Sequence, residues 1–390
     1  MSKLKAGRSN KVLLVVPTFV SYHCFLRELS EVLVQRGWQV AVACDLSVQM
    51  GQERDPDREK GIAFFHISFP RGFHALGYLL CTLALRRILK EVRPDIVHAH
   101  FSAAILPVAL LPRSRSRQAI GTFQGLQFPL SNGLKRRLLR RAETFSSRRL
   151  HWAWVLTRDD LAALKEAGVE NARVQKGWGF GCRTDWFDPV KFSEKNRLQL
   201  RERWNIPDRV PVFAFVGRNV DFKGFAIVIR GFFRLLKTHP DARLLIIGDR
   251  DPLHPTGLTA DEESRMQECP AIVRCGWQRE VAPFLAITDA LVHPSSREGM
   301  PVGCMEAIAM GVRLIAPASR GLRELLALTG ETPLREISSE VVAEAMERVC
   351  VEETKPAHAD PKKFSAIREQ LDRYTYVEEQ IRIYERLLGR

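Results

Sequence analysis

Two carboxylates stand eight residues apart in the run His293-Pro-Ser-Ser-Arg-Glu298-Gly299-Met300-Pro301-Val302-Gly303-Cys-Met-Glu306. A helix is expected to begin near Pro301. That places Glu298 in a loop and Glu306 about one turn into the helix, on a face otherwise made of Val302, Met305 and Ala309. A carboxylate among such neighbours is costly unless it is paired or holds a ligand, and the hydroxyls of a sugar or ribose are suitable partners. A role at the positive end of the helix dipole explains Glu298 poorly and Glu306 not at all.

A second constellation lies upstream, in Gly217-Arg218-Asn-Val-Asp-Phe-Lys223-Gly224. It follows an apolar strand and precedes a helix. Glycines allow close backbone approach, the helix start supplies unpaired N–H groups, and two cations lie five residues apart. Together these suit a pyrophosphate. The run is neither a GxxxxGK[ST] loop nor a GxGxxG fingerprint, and a turn with solvated cations is the plain alternative. A third feature, Ile246-Ile-Gly248-Asp249, ends a strand on glycine, which brings backbone to a ligand or simply makes a turn.

These loops need strands and helices to hold them, and the sequence supplies both in alternation. Short apolar runs at Lys11–Pro17, Gln39–Ala43, Ile62–His66, Asp95–His98, Ala119–Phe123 and Trp152–Leu156 read as buried strands. The scheme restarts at Val212–Gly217 and continues at Arg243–Gly248, Ile272–Cys275, Ala290–His293 and Arg313–Ala316. Helical patterns intervene, among them Phe25–Arg36 and Phe225–Leu236, and a last one spans Val377–Leu388. Such alternation predicts an α/β chain with parallel sheets covered on both faces. The pattern weakens over Trp186–Arg209, so the expected domains are 1–195 and 196–376, with a C-terminal helix 377–390 packing back on the first. Ligands bind at the carboxyl ends of such strands, which makes a cleft between the domains the expected site.

The charge is lopsided. Residues 1–190 carry 29 Lys/Arg against 16 Asp/Glu, whereas residues 191–390 carry 30 against 29. Within the basic half, Lys135–Arg149 holds seven cations and one acid, interleaved with Leu138, Leu139, Ala142 and Phe145 and preceded by Leu134. At helical spacing this is a basic amphipathic helix fitted to an anionic membrane surface, or a helix packed on its own sheet with a solvated basic face. Arg113, Arg115 and Arg117 add to the field. No nucleic-acid motif accompanies it, so nucleic acid is not an expected partner. The eight cysteines are scattered, without zinc-ligand spacing, and no bound metal is expected. Nothing approaches the roughly 20 apolar residues of a spanning helix. A cytoplasmic protein, peripheral on the inner face of the cytoplasmic membrane, is the expectation.

The series GRNVDFKG, LLIIGD, VHPSSREGMPVGCMEAIAMG and Ala318-Ser-Arg-Gly321 resembles family 4 of the glycosyltransferases, and Glu298 to Glu306 matches that family's E-x7-E motif. In the first half, PTFVSYHCFLRELSEVLVQRGWQVAVAC, RPDIVHAH and GWGFGCRTDWFDP resemble members that extend bacterial surface polysaccharides on lipid carriers. The resemblance implies a GT-B fold of two Rossmann-like domains, with parallel sheets facing a central cleft. It implies a retaining glycosyltransferase that uses a nucleotide-sugar, mostly UDP- or GDP-linked, without a divalent metal or other cofactor. By the same resemblance Arg218 and Lys223 hold the donor's phosphates, Glu298 lies near the donor sugar, and Glu306 binds the ribose. Gly217, Gly248, Asp249, Gly299, Met300, Pro301 and Val302 complete the expected donor site, with Ser21 and His100 on the acceptor side. Where relatives often carry histidine after the strand Ala119–Phe123, this chain has Gln124, which hydrogen-bonds but takes no proton. A catalytic role at that position passes to Gln124 under this reading. The resemblance implies a glycan acceptor, lipid-linked, in exopolysaccharide, capsule or lipopolysaccharide synthesis. A nucleotide-sugar epimerase of GT-B fold and a non-catalytic membrane adaptor remain the alternatives.

Overall fold

The computed structural model describes residues 9–47, 60–70, 72, 74–112, 119–351 and 360–389. Arg113, Arg115 and Arg117 lie outside the described residues. The chain divides into two compact units, residues 1–180 with 376–390, and residues 181–375.

The first unit is built on seven strands: β1 (Lys11–Thr18), β2 (Gln39–Asp45), β3 (Ile62–His66), β4 (Ile96–His100), β5 (Ala119–Phe123), β6 (Trp152–Val155) and β7 (Ala172–Val174). They form one sheet in the order β3-β2-β1-β4-β5-β6-β7, and every pairing is parallel. Val12 to Val16 are fully buried, as a continuous apolar run covered on both faces should be. Pro17 does not end β1. The register shifts between Val15 and Thr18, and that irregularity accommodates a residue with no N–H to donate.

Thr18 then caps a helix, Phe19–Phe25, its hydroxyl accepting from the Ser21 N–H. The backbone bends at Leu26 (φ −124°) before a second helix, Arg27–Gln35, which is the helix expected over Phe25–Arg36, shorter by two residues at its start and one at its end; the helix Phe19–Phe25 before it was not expected. Farther on, the helices Ala75–Val92 and Gly133–Arg149 both pack against the helix Ser102–Ala109. The last helix, Arg373–Leu387, starts four residues before the expected Val377. From Tyr376 onward it belongs to the first unit, where the Tyr384 hydroxyl meets His98 Nδ1 at 2.7 Å and its ring packs 5.9 Å from that of Trp38.

The second unit contains β8 (Val212–Val216), β9 (Arg243–Ile247), β10 (Ile272–Gly276), β11 (Ala290–Val292) and β12 (Arg313–Ile315). They form a parallel sheet ordered β10-β9-β8-β11-β12. Phe213, Phe215, Phe225, Ile229 and Phe232 anchor its core. In both sheets the strand order reverses at one place, between β1 and β4 in the first and between β8 and β11 in the second. The ends of those strand pairs are where doubly wound sheets bind ligands.

Candidate active site

In the second unit, the two loops that leave the switch point are two of the three strand ends that the sequence singles out; the third, Gly248-Asp249, follows β9. The loop after β8 carries Gly217 to Gly224, and the loop after β11 carries His293 to Pro301. They are tied together. The Phe222 carbonyl accepts from the Ser296 N–H (3.1 Å) and from the Ser295 and Ser296 hydroxyls (both 3.2 Å). Gly224 has φ 77°, and a Cβ there would stand 2.5 Å from the Pro294 carbonyl oxygen, so only glycine lets the loops approach this closely. Gly321 (φ 78°) does the same on the other side, its absent Cβ pointing to within 1.8 Å of the Gly299 carbonyl oxygen.

Between the loops runs a chain of charge. A 3-10 turn, Asp221–Lys223, aims Lys223 so that Nζ donates to Glu298 Oε1 at 2.6 Å. His293 Nε2 lies 2.7 Å from the same oxygen. Both histidine and glutamate are buried. Because the acceptor is a carboxylate, the imidazole proton is assigned to Nε2, and the buried Nδ1 has no partner. Burial alone would raise the Glu298 pKa. The His293 and Lys223 contacts outweigh it and hold the carboxyl at about 2. Both donors use Oε1, and no hydrogen bond reaches Oε2 among the described residues. Arg320 Nε braces the loop through the Glu298 carbonyl, at 3.0 Å.

Arg218, on the same loop as Lys223, is half exposed and donates to Asp251 Oδ2 at 2.5 Å, with its guanidinium 5.6 Å from the centre of the Phe222 ring. Gly217 and Gly248 end the neighbouring strands β8 and β9, and the Gly217 N–H donates to the Ile247 carbonyl at 2.9 Å. Asp249 is exposed beside them. Gly299 is half-buried and Met300 and Pro301 buried, leading into the helix Val302–Ala309. Glu306 sits in that helix, half-buried between buried Met305 and Ala307. No hydrogen bond reaches its carboxylate among the described residues. Burial pushes its pKa up to about 7, against the pull of Arg373. A cavity of about 640 Å³ opens beside Gly248 and Asp249, but Arg218, Lys223, Glu298 and Glu306 do not line it.

Thus Lys223 and Glu298 meet directly across two loops, while Arg218 shares the loop of Lys223 and Glu306 contacts neither. His293, Arg320 and Arg373 bear on the site without having been singled out. The first two stand inside quoted motifs, and their roles depend on contacts that spacing does not reveal.

Gln124, Ser21 and His100 belong to the first unit. Gln124 is half-buried just after β5, and its Nε2 has no partner. Ser21 joins the helix cap, its hydroxyl 2.9 Å from that of Thr18. His100 ends β4, fully buried, with both ring nitrogens unpartnered, and burial lowers its pKa to about 3.

Two sheets of this order, each with its loops gathered at one switch point, define a GT-B architecture. The family models "Glycosyl transferase 4-like domain" and "Glycosyl transferases group 1" match residues 23–175 and 210–351. The chain belongs to the two-domain GT-B glycosyltransferases, and it is a glycosyltransferase. It is 24% identical over 300 residues to the putative glycosyltransferase EpsD of Bacillus subtilis, covering 75% of this chain and 74% of that one. It is 23% identical over 270 residues to the Escherichia coli UDP-Gal:alpha-D-GlcNAc-diphosphoundecaprenol alpha-1,3-galactosyltransferase, covering 66% and 67%. The solved structure of Anabaena HepE in complex with UDP superposes with a TM-score of 0.76 at 15% identity, over 96% of this chain and 99% of that one.

Proposed function

We propose that the chain is a retaining transferase that takes a hexosyl group from a UDP- or GDP-sugar and passes it to a lipid-linked glycan during surface-polysaccharide synthesis. The observation that carries this reading is the Lys223–Glu298 pair, a buried charge held open at Oε2 between two glycine-anchored loops. The diphosphate displaces Lys223 from Glu298 and Arg218 from Asp251, and the two cations then offset the charge that grows as the anomeric carbon–oxygen bond breaks. Glu298 Oε2 accepts from a hydroxyl of the donor sugar, and Glu306 from the ribose. The acceptor hydroxyl bonds to the anomeric carbon on the face the diphosphate leaves, and its proton passes to the departing phosphate oxygen. No base is needed for that step, which is compatible with Gln124 as a hydrogen-bonding residue. The UDP held by HepE and the lipid diphosphate in the E. coli relative's name support the donor and acceptor classes. The +13 balance of residues 1–190 fits an acceptor carried on an anionic membrane.

The test incubates the full chain with UDP- and GDP-hexoses and membrane extracts and follows transferred sugar and anomeric configuration. Retained α-linkage from one donor is expected. Inversion, or isomerised donor without any acceptor, would overturn the assignment.

A further inference from the structure

Arg218 already holds an anion. Its guanidinium is paired with Asp251, which stands in the loop between β9 and the helix Ala260–Glu268. The two oxygens of Asp251 are used differently. Oδ1 accepts from the Leu253 N–H at 2.9 Å and closes a turn of its own loop. Oδ2 accepts from Arg218 Nη1 at 2.5 Å and lies 3.1 Å from His254 Nδ1, where the proton is assigned because the acceptor is a carboxylate. The Leu253 N–H, and after it His254 and Arg218, hold the Asp251 carboxyl below its usual range, so it is an anion at neutral pH.

The carboxylate is fixed and the guanidinium is not. The Asp251 loop is fastened to the loop that carries both cations. The Pro255 carbonyl accepts from the Asp221 N–H at 2.9 Å, and the His254 ring meets Phe222 edge-on, 5.4 Å between centres. Arg230 Nη2 donates to the Gly257 carbonyl at 2.9 Å. A Cβ at Gly257 (φ 82°) would stand 2.4 Å from Asp221 Oδ1, so glycine is again what lets two loops close up. Asp251 is half-buried in this frame, whereas the Arg218 side chain is 55% exposed on a long, flexible stem.

The geometry assigns to Asp251 the role of a resident counter-anion, which sets how tightly Arg218 grips the diphosphate and reclaims the guanidinium once the sugar has gone. This inference rests on the donor site proposed above. Donor binding is then an exchange of anions: Arg218 leaves Asp251 for the diphosphate, and Asp251 keeps the Leu253 N–H and His254. After transfer, the same carboxylate competes with the nucleoside diphosphate and hastens its release. A cation that gripped the diphosphate equally before and after transfer would tighten binding without raising turnover. Glu298 pairs with Lys223 in the same way but is also assigned to the donor sugar. Asp251 has no second duty, which makes it the residue to perturb.

Asp251→Asn tests the role, because its amide oxygen can still accept from the Leu253 N–H while the charge is lost. Wild type, Asp251→Asn, Arg218→Met and the double variant are titrated with inorganic pyrophosphate, UDP and GDP by calorimetry, alongside thermal melts. Asp251→Asn should bind pyrophosphate about fivefold more tightly, the effect of releasing one partly exposed ion pair, and product nucleotide should inhibit transfer at correspondingly lower concentration. In the Arg218→Met background the same change should alter affinity less than twofold. His254→Phe, which keeps a ring against Phe222, should weaken pyrophosphate binding, because Asp251 then parts from Arg218 with one partner fewer. Equal affinity in wild type and Asp251→Asn would overturn the counter-anion, whatever the melts show. So would an equal gain without Arg218, since the carboxylate would then act through the general field alone. If no variant bound pyrophosphate or either nucleotide, the donor site itself would fall and the counter-anion with it.

Discussion

Replacing Lys223 with methionine keeps the length of the side chain and removes its charge. At 2.6 Å the attraction between Lys223 and Glu298 is on the order of 6 kcal/mol with an effective dielectric constant near 20, before either ion's desolvation is subtracted. The net effect is smaller. Glu298 falls from 4.5 to about 2, a bias of roughly 3 kcal/mol toward the ionised form that already includes burial and is shared between Lys223 and His293. The substitution therefore costs about 1–2 kcal/mol of stability, lost above the ordinary carboxylate pKa, where Glu298 must stay charged. Its effect on turnover is larger, because a cation that meets charge developing on the leaving group is worth about 3–4 kcal/mol, or two to three orders of magnitude in kcat. Adding Glu298→Gln to Lys223→Met removes the stranded anion and should restore the melting temperature without restoring turnover. Thermal melts and single-turnover transfer separate the two effects. If Lys223→Met turned over within threefold of wild type, or if the double variant regained activity, Lys223 would be a structural ion only and the leaving-group argument would be wrong.

Glu306, raised from 4.5 to about 7, binds its proton more tightly folded than unfolded, so stability should fall as pH rises from about 4.5 to about 7, by no more than about 3 kcal/mol. Glu306→Gln should flatten that fall in thermal melts, and donor affinity, which uses the ionised form, should strengthen through about pH 7 in wild type only. Gly321→Ala drives a methyl onto the Gly299 carbonyl and should weaken donor binding more than tenfold by calorimetry, with a melting temperature at least several degrees lower. Reversing Arg136, Arg137, Arg140 and Arg141 to Glu should release the protein from anionic vesicles in flotation; continued binding would discard the basic helix as an anchor.

The alternation of strand and helix was legible because continuous buried runs such as Val12–Val16 look like nothing else. Strand β7 was not. It is three residues long with Arg173 at its centre, too short and too polar for any period to register. The helix Phe19–Phe25 is not legible either, because its seven residues follow directly on the apolar strand and are too few for a helical period to register. In the second unit, Glu298 and Glu306 stand out because two acids interrupt an apolar motif. The His293–Glu298–Lys223 chain is invisible in sequence, since Lys223 and Glu298 lie 75 residues apart and only the adjacency of β8 and β11 brings them together. The exposure of Leu76, Leu79, Leu80 and Leu83 in the helix Ala75–Val92 is not legible for the opposite reason: where the first turns of a helix are apolar all round, spacing cannot tell the half that packs from the half that does not.

The final helix bears on how the protein is made. A ribosome releases β1 to β7 long before residues 376–390, and until those emerge His98 and Trp38 lack the Tyr384 side chain that packs against them. The first unit is therefore the last to be completed, waiting with part of its interior wet while the second, which needs only the intervening residues, folds ahead of it. A nonsense codon between positions 376 and 384 would spare every donor-site residue and still remove Tyr384, leaving a nascent protein with an open flank, marked for chaperones or proteases rather than for work.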